Sequence, residues 1–538
     1  MIVSIFNDVI GPVMRGPSSS HCAAALRIGR IARDLMDGKI DSVLVQFDNN
    51  GSLPATHTSQ GSDMGLFGGL LGWDADDPRL PDSHEHLREA GIELKFEYGD
   101  FDDAHPNTYR LSLSNHSDQH TLIAISTGGG MFQVQQIDGV TVDIGGDYHE
   151  TLIWDKTAAQ DPELLRTKVN ADDVHVQTDD DITFTQIKSQ TRLSDHDISQ
   201  AMPLASDSIA KHLAPVLPVQ SRRGLRVPFQ SCAEMLRYDD GRDLPLWQLA
   251  LDYETARSSL SETAVINKMT DLVSILRNSI QEGLAGTHYQ DRVLGFQSGE
   301  FQRMMDDRSL LDGGMLNRIV LYTTAMMEVK SSMGVIIAAP TAGACAALPA
   351  TCIAAGETMQ LSDDAIARGM LAAGMIGVFI ATHWSFAAEV GGCQAEGGSA
   401  AAMSAAALVT FAHGSLAQST GAASMAMQNM LGLICDPVAN RVEVPCLGKN
   451  VMAASNALSC ANMAIAGFDC VIPLDETIQA AKEVALRMPR EHRCTALGGL
   501  ATTPTSLALE KRLAGGCGTG CGCGPTVTKL KMSSKTGG

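Results

Sequence analysis

Residues Ala365–His413 read AIARGMLAAGMIGVFIATHWSFAAEVGGCQAEGGSAAAMSAAALVTFAH. Two runs rich in Ala, Gly, Met and Leu, Ala365–Ala388 and Ala400–His413, flank a Gly-containing loop that carries Cys393. Small side chains let helix backbones approach closely, so these runs predict packed helices with a loop held between them. The stretch Gly369–Val390 has the length of a membrane span. It is nevertheless rich in Gly and Ala and ends in His383, Trp384 and Glu389, which predicts a helix buried inside protein.

The same composition continues on both sides, in Ser261–Leu284 and Leu316–Met327. From about Val227 onward β-patterning fades, so residues 227–515 are expected to form an all-α catalytic domain with functional loops. Upstream the pattern differs. Residues 1–145 mix short β-like runs (Ser42–Phe47, Thr108–Ser114, Thr121–Ser126) with one clear helix, Cys22–Met36, and predict an α+β domain. The polar run Ser18, Ser19, Ser20, His21 stands just before that helix, where caps and anion-binding amides belong. Residues 146–226 turn acidic around β-like pieces at Val174–Val176 and Ile182–Ile187, and read as a small α+β module or a linker. Residues 516–538 form a Gly/Cys-rich tail. The expected architecture is therefore multidomain, an α+β N-terminal domain followed by an all-α one.

The chain has 538 residues, enough for several cores. Forty Lys and Arg against 61 Asp and Glu give a net charge of -21, which argues against nucleic acid or anionic membrane as a partner. No export signal marks Met1–Asp8, so a cytoplasmic location is expected. Thirteen cysteines without a regular disulfide framework point to metal or catalysis in a reducing compartment. Three of them stand in loop-like contexts, EVGGCQAEGG (Cys393), LGLICDPVAN (Cys435) and VEVPCLGKN (Cys446), separated by 42 and 11 residues. That spacing is no CxxC pattern, and buried structural thiols explain it as readily as a metal site does.

The flanking motifs carry more. GPSSSHCAAALRIGR (Gly16–Arg30), HPN (His105–Asn107), STGGG (Ser126–Gly130), AAPTAGACAALPA (Ala338–Ala350), GGCQAE (Gly391–Glu396), CDPV (Cys435–Val438), EVPC (Glu443–Cys446) and TALGGLATTPT (Thr495–Thr505) occur in this order. In these motifs the chain resembles the iron-sulfur-dependent L-serine dehydratase (L-serine ammonia-lyase) family, in a form with β and α chains fused. The resemblance implies that Cys393, Cys435 and Cys446 each bind one iron of a [4Fe-4S] cluster. The fourth iron is left open as a Lewis acid, and no pyridoxal phosphate is needed. It also implies a cytoplasmic enzyme of amino-acid metabolism and gluconeogenesis that eliminates water from L-serine, giving pyruvate and ammonia. A small amino acid is the expected ligand, and a homodimer the expected assembly.

Carried over with the resemblance, His105 is the candidate base and Asn107 its neighbour in the His-x-Asn motif. Ser18, Ser19, Ser20, His21 and Ser126 are candidate substrate-site residues. Two departures stand out. The family typically carries a GHGTD-like segment where this chain reads PATHTSQGSD. Aligning Gly61 and Asp63 puts Gln60, with Ser62 beside it, where the family histidine belongs, and a glutamine cannot act as a base. Either His57 takes over the role or the substrate differs. Lys330 stands where an Asn is common, a charge suited to a second acidic group on the substrate. The open alternatives are elimination from L-cysteine or an acidic 3-hydroxy amino acid, and a non-catalytic iron-sulfur sensor. The resemblance also makes the tail cysteines Cys517, Cys521 and Cys523 candidates to plug the open iron, beside the plainer reading of a disordered tail with incidental thiols.

Overall fold

The computed structural model describes residues 2–515 apart from Ser59, residues 157–158, residues 180–181, Pro203 and residues 290–291. Period-two patterning builds the first sheet. In Thr108–Ser114, Tyr109, Leu111 and Leu113 are buried while the intervening residues are half-buried. Six strands lie in the order Glu93–Gly99, Ser42–Asp48, Thr108–Ser114, Gln119–Gly128, Met131–Ile137, Val140–Ile144; the first two pair parallel and the rest antiparallel. The helix Cys22–Leu35 packs against a second helix, Ser62–Leu71. Contact is so close that a Cβ on Gly69 would lie 2.1 Å from the Leu26 carbonyl oxygen, which is why a residue without a side chain stands there.

The acidic stretch that follows is folded. Strands Ile209–Leu213, His149–Asp155, Ile182–Ser189 and Asp173–Asp179 form an antiparallel sheet in that order. Its helices Pro162–Lys168 and Asp195–Ala201 are capped by Asp161 and Ser194, and Ile153, Leu165, Ile187 and Ile198 make a small core of their own. Lys211 fastens this module to the first sheet domain by ion pairs to Asp37 (2.7 Å) and Asp118 (2.5 Å).

The remainder is helical. The helix Asp363–His383 lies at its centre, against Ser399–Phe411, Leu246–Ser258 and Glu262–Ala285. It is the one helix among the described residues long and apolar enough to cross a membrane, and 78% of its most apolar window is buried inside the protein. It ends five residues short of Ala388: Trp384 leaves helical geometry, and 384–387 become an irregular segment before the short turn Ala388–Gly391. The region is not wholly helical either, because the strand Val335–Ile337 pairs antiparallel with Val13–Arg15.

That pairing reflects the path of the opening residues, which pack with the helical region before the chain crosses to the sheets. Ile5 and Val9 fill notches in the central helix: a Cβ on Gly377 would lie 2.1 Å from Val9 Cγ1, and one on Gly374 2.6 Å from Ile5 Cγ2. Buried Glu254 accepts from the Ser4 hydroxyl (2.7 Å) and the Ile5 amide (2.9 Å), and Arg257 donates to the Ile2 carbonyl (2.7 Å). Ser18–Ser20 are thereby set at the junction of the two parts.

Candidate active site

At this junction lies a cavity of about 420 Å³. Pro17–Ser20 and Thr127–Gly129 line it from the sheet side, Pro340–Gly343 and Trp384–Glu389 from the helical side. Cys435, Cys446 and Cys494 lie on its wall, with the carboxyl groups of Asp8 and Glu396. Cys393 lines a small adjoining space with Cys446, Glu396 and Lys449.

Each cysteine is positioned by backbone bonds. The amide after Cys393, that of Gln394, donates to Leu433 O (2.9 Å), and the Gln394 side chain accepts from Gly432 N (2.8 Å), which ties the Cys393 and Cys435 loops together. Cys435 N donates to His492 O (2.9 Å). Cys446 opens the helix Cys446–Ile465, so the positive end of that helix lies at its thiol. One turn on, the Lys449 ammonium sits 3.6 Å from Cys393 Sγ and 2.7 Å from both Asp436 Oδ1 and Ile434 O. Burial opposes its charge, but Cys393 and Asp436 outweigh burial and hold Lys449 above the ordinary lysine range. Hydrogen bonding with Cys393 and with Cys494, then burial, push the Cys435 thiol up. Burial pushes Cys446 up as well, with Lys330 working against it.

All ten described cysteines are free thiols. Among the described residues no group of three His, Cys, Asp or Glu side chains could hold a single metal ion. A cluster sets a different requirement, because each thiolate binds a separate iron. Buried cysteines from three loops around the cavity and its small adjoining space, with a lysine to neutralise thiolate charge, fit that donor set.

The SSSH run does not cap its helix. Its histidine makes no capping bond, and the ring instead meets Ser18 Oγ through Nδ1 (3.0 Å) and Thr56 Oγ1 through Nε2 (3.0 Å). Thr56 donates its hydroxyl proton to Ser52 O (2.7 Å), so it can only accept from His21. His21 therefore carries its proton on Nε2 and offers the Nδ1 lone pair to Ser18. Burial pushes its pKa down to about 4, with nearby His57 adding to the effect, so the ring is neutral at pH 7. Ser126 donates to Ser20 O (2.7 Å) and pins the serine run to the Gly-rich turn.

The other predicted residues lie outside the cavity lining. His57 is buried, with Nδ1 2.6 Å from Asp63 and Nε2 2.9 Å from the Tyr98 hydroxyl. Gln60 lines a small neighbouring space with Pro17 and Arg441. Ser62 is buried and accepts from the Tyr109 hydroxyl (3.1 Å). Asn107 meets the Ser52 hydroxyl and donates its amide to His105 Nδ1 (3.1 Å), so the HPN turn connects to the serine run through Ser52, Thr56 and His21, and also through Ser126, whose amide donates to Asn107 O (3.0 Å). Lys330 is fully buried, its ammonium bonded to Val442 O. Cys517, Cys521 and Cys523 fall outside the described residues.

Sequence reasoning passed over Asp8, Glu396, Lys449 and Cys494. Glu396 stands inside a quoted motif, accepts from the Thr341 hydroxyl (2.7 Å) and is pushed up to about 7 by burial. Cys494 directly precedes the TALGGLATTPT motif, which was the available signal.

The family model described as "Serine dehydratase alpha chain" matches residues 241–501. The probable L-serine dehydratase alpha chain of Bacillus subtilis is 36% identical over 288 residues, which cover 54% of this chain and 96% of that one. The chain belongs to the L-serine dehydratase family. It has the fused form: the probable beta chain of B. subtilis is also 37% identical over 150 residues (28% of this chain, 67% of that one), and an L-serine dehydratase of Streptomyces coelicolor is 28% identical over 524 residues, 93% of this chain and 99% of that one. Members of this family are lyases, and this chain is an enzyme of that class. The alpha-chain match contains Cys393, Cys435, Cys446, Lys449 and Cys494, whereas Ser18–His21 lie outside it.

Proposed function

We propose that this enzyme is a [4Fe-4S]-dependent L-serine ammonia-lyase that eliminates water from L-serine and yields pyruvate and ammonia. One observation carries the reading: the cysteine loops, the Pro340–Gly343 turn, the serine run and the Gly-rich turn converge on a single cavity. Cys393, Cys435 and Cys446 would hold the cluster, which when bound supplies a Lewis-acidic iron free of protein thiolate for the departing hydroxide. Lys449 balances the charge of the thiolates. Ser18–Ser20 and the Thr127–Gly129 turn offer hydroxyls and backbone amides to the substrate carboxylate and ammonium.

The base is the Ser18–His21 pair. Neutral His21 accepts the Ser18 hydroxyl proton at Nδ1 as Ser18 Oγ takes the Cα proton, and Thr56 holds the ring in that tautomer. Asn107 and Ser52 position Thr56. The resulting 2-aminoacrylate tautomerises and hydrolyses without further protein groups. Lys330 is bonded to Val442 O, and among the described residues no Lys or Arg lines the cavity to favour an acidic substrate. The ligand we propose is a small amino acid and the assembly a cytoplasmic homodimer, which light scattering of purified protein checks.

The test is anaerobic reconstitution with iron and sulfide, followed by ammonia and pyruvate release from L-serine, D-serine, L-threonine, L-cysteine and 3-hydroxyaspartate. Release from L-serine that is lost in air supports the reading. Release from another member alone replaces the substrate, and an intact cluster with no release from any member leaves a sensor.

A further inference from the structure

Apart from its cysteines, the cavity wall carries ionisable side chains of one kind only. Asp8, Glu389 and Glu396 line it, and among the described residues no Lys, Arg or His does. Backbone amides and hydroxyls suit the carboxylate of an entering amino acid, whereas its ammonium calls for one of the three acids. Glu389 is exposed. Glu396 already engages Thr341, shares the small adjoining space with Cys393 and Cys446, and is pushed up to about 7 by burial, which makes it a weak anion. Asp8 remains.

The opening turn sets Asp8 in place. Ile10 N donates back across five residues to Ile5 O (2.7 Å), which winds Ile5–Val9 into a single π-turn, a geometry that recurs at functional sites. Ile5, Phe6, Asn7 and Val9 are buried, and Asp8 alone of these five lines the cavity. The Asn7 side chain locks the turn by exchanging two bonds with the Val219 backbone (2.8 and 2.9 Å). Asp8 Oδ2 accepts from Ser4 N (2.8 Å), and among the described residues Oδ1 has no hydrogen-bond partner. The nearest cations are turned to backbone carbonyls: Arg27 donates to Gly130 O (2.7 Å), and Arg257 to Ile2 O (2.7 Å) and Gln220 O (3.0 Å). Burial outweighs both and holds Asp8 above the usual carboxylate range. A carboxylate withdrawn from water with one oxygen unmet is complementary to a cation that a ligand brings in.

We propose that Asp8 receives the α-ammonium group of the substrate through Oδ1 and so selects amino acids over the corresponding hydroxy acids. This deepens the reading of the cavity as an L-serine site and rests on it. The ammonium is held alike before and during the reaction, so Asp8 binds and orients the substrate and takes no proton from Cα.

The experiment uses the full chain, reconstituted anaerobically, and two inhibitors: L-alanine, which keeps the ammonium, and 3-hydroxypropionate, which is serine without it. Asp8→Asn keeps an oxygen for Ser4 N and removes the charge. KM for L-serine should rise about 10–100-fold, the worth of a hydrogen bond to a charged group, with kcat changed far less. Inhibition by L-alanine should weaken by the same factor, and inhibition by 3-hydroxypropionate should hold. Asp8→Glu, which restores the charge, should recover part of the L-alanine inhibition. A KM equal to wild type in D8N, or equal weakening of both inhibitors, overturns the inference and leaves the serine reading standing. Wild type that neither turns over L-serine nor is inhibited by L-alanine sinks both. Carbodiimide labelling of the wild type, mapped by peptide mass, needs no variant to fold: L-alanine at inhibitory concentration should protect Asp8, and labelling unchanged by it overturns the inference.

Discussion

His21→Asn separates the proton acceptor from the scaffold around it. Asparagine keeps a short polar side chain at the position before the helix Cys22–Leu35 and can still accept from Ser18, but it cannot hold a proton at neutral pH. Loss of a general base lowers turnover by about 10²–10⁴-fold, so kcat should fall by that much with KM little changed. Ser18→Ala should do the same, and the double variant should be no slower than the worse single one, because the two groups act as a unit. The pH dependence gives a second readout. His21 has its folded pKa pushed down to about 4 from 6.5, so the unfolded chain binds the proton more readily and stability falls as the pH drops from 6.5 towards 4. Between pH 8 and pH 4.5 the shift is worth about 2 kcal/mol for a half-buried ring. Urea unfolding of the cluster-free protein at both pH values should show the H21N variant losing about 2 kcal/mol less than wild type on acidification. A wild-type kcat in H21N, or parallel stability losses in the two proteins, would refute the assignment.

Cys435→Ala should abolish both cluster absorbance and turnover, and turnover without a cluster would overturn the mechanism. Lys449→Met leaves Asp436 buried beside the thiols without its cation, so the urea midpoint should drop by an amount equivalent to about 3 kcal/mol, and reconstituted iron should be lost faster during dialysis. Gly377→Ala forces a methyl group against Val9; a destabilisation of about 1–3 kcal/mol is expected by thermal melting, with lower kcat because the segment leading to Ser18–Ser20 is displaced.

Local pattern carried much of this molecule. The helix Cys22–Leu35, the strand Thr108–Ser114 and the buried character of Asp363–His383 follow from periodicity and composition, which act within a few residues. Contacts between distant residues left no such trace. Nothing near Val13–Arg15 announces a partner more than three hundred residues away, and IFNDV reads as any short apolar run until the notches at Gly374 and Gly377 are seen. In the site, motif order brought Ser18–Ser20, the Gly-rich turn and the cysteine loops forward, because those stretches need particular backbones. Charged residues are read by default as solvated, which hides Asp8, Glu396 and Lys449, whose surroundings come from other loops. His57 shows the converse: its residue type and place suggested chemistry, while Asp63 and Tyr98 engage both of its nitrogens.

The opening segment bears on how two halves of such an enzyme stay together. Residues 2–15 are embedded among helices contributed by the far end of the chain, held by Glu254, Arg257 and the pairing with Val335–Ile337. The peptide connection through residues 214–231 is therefore a second tether between parts that are already clasped. Severing it near residue 226 would leave two polypeptides still interlocked by that buried strap, with the walls of the cavity in register. Joining beta and alpha portions in one polypeptide then fixes their stoichiometry, while the grip between them comes from the strap.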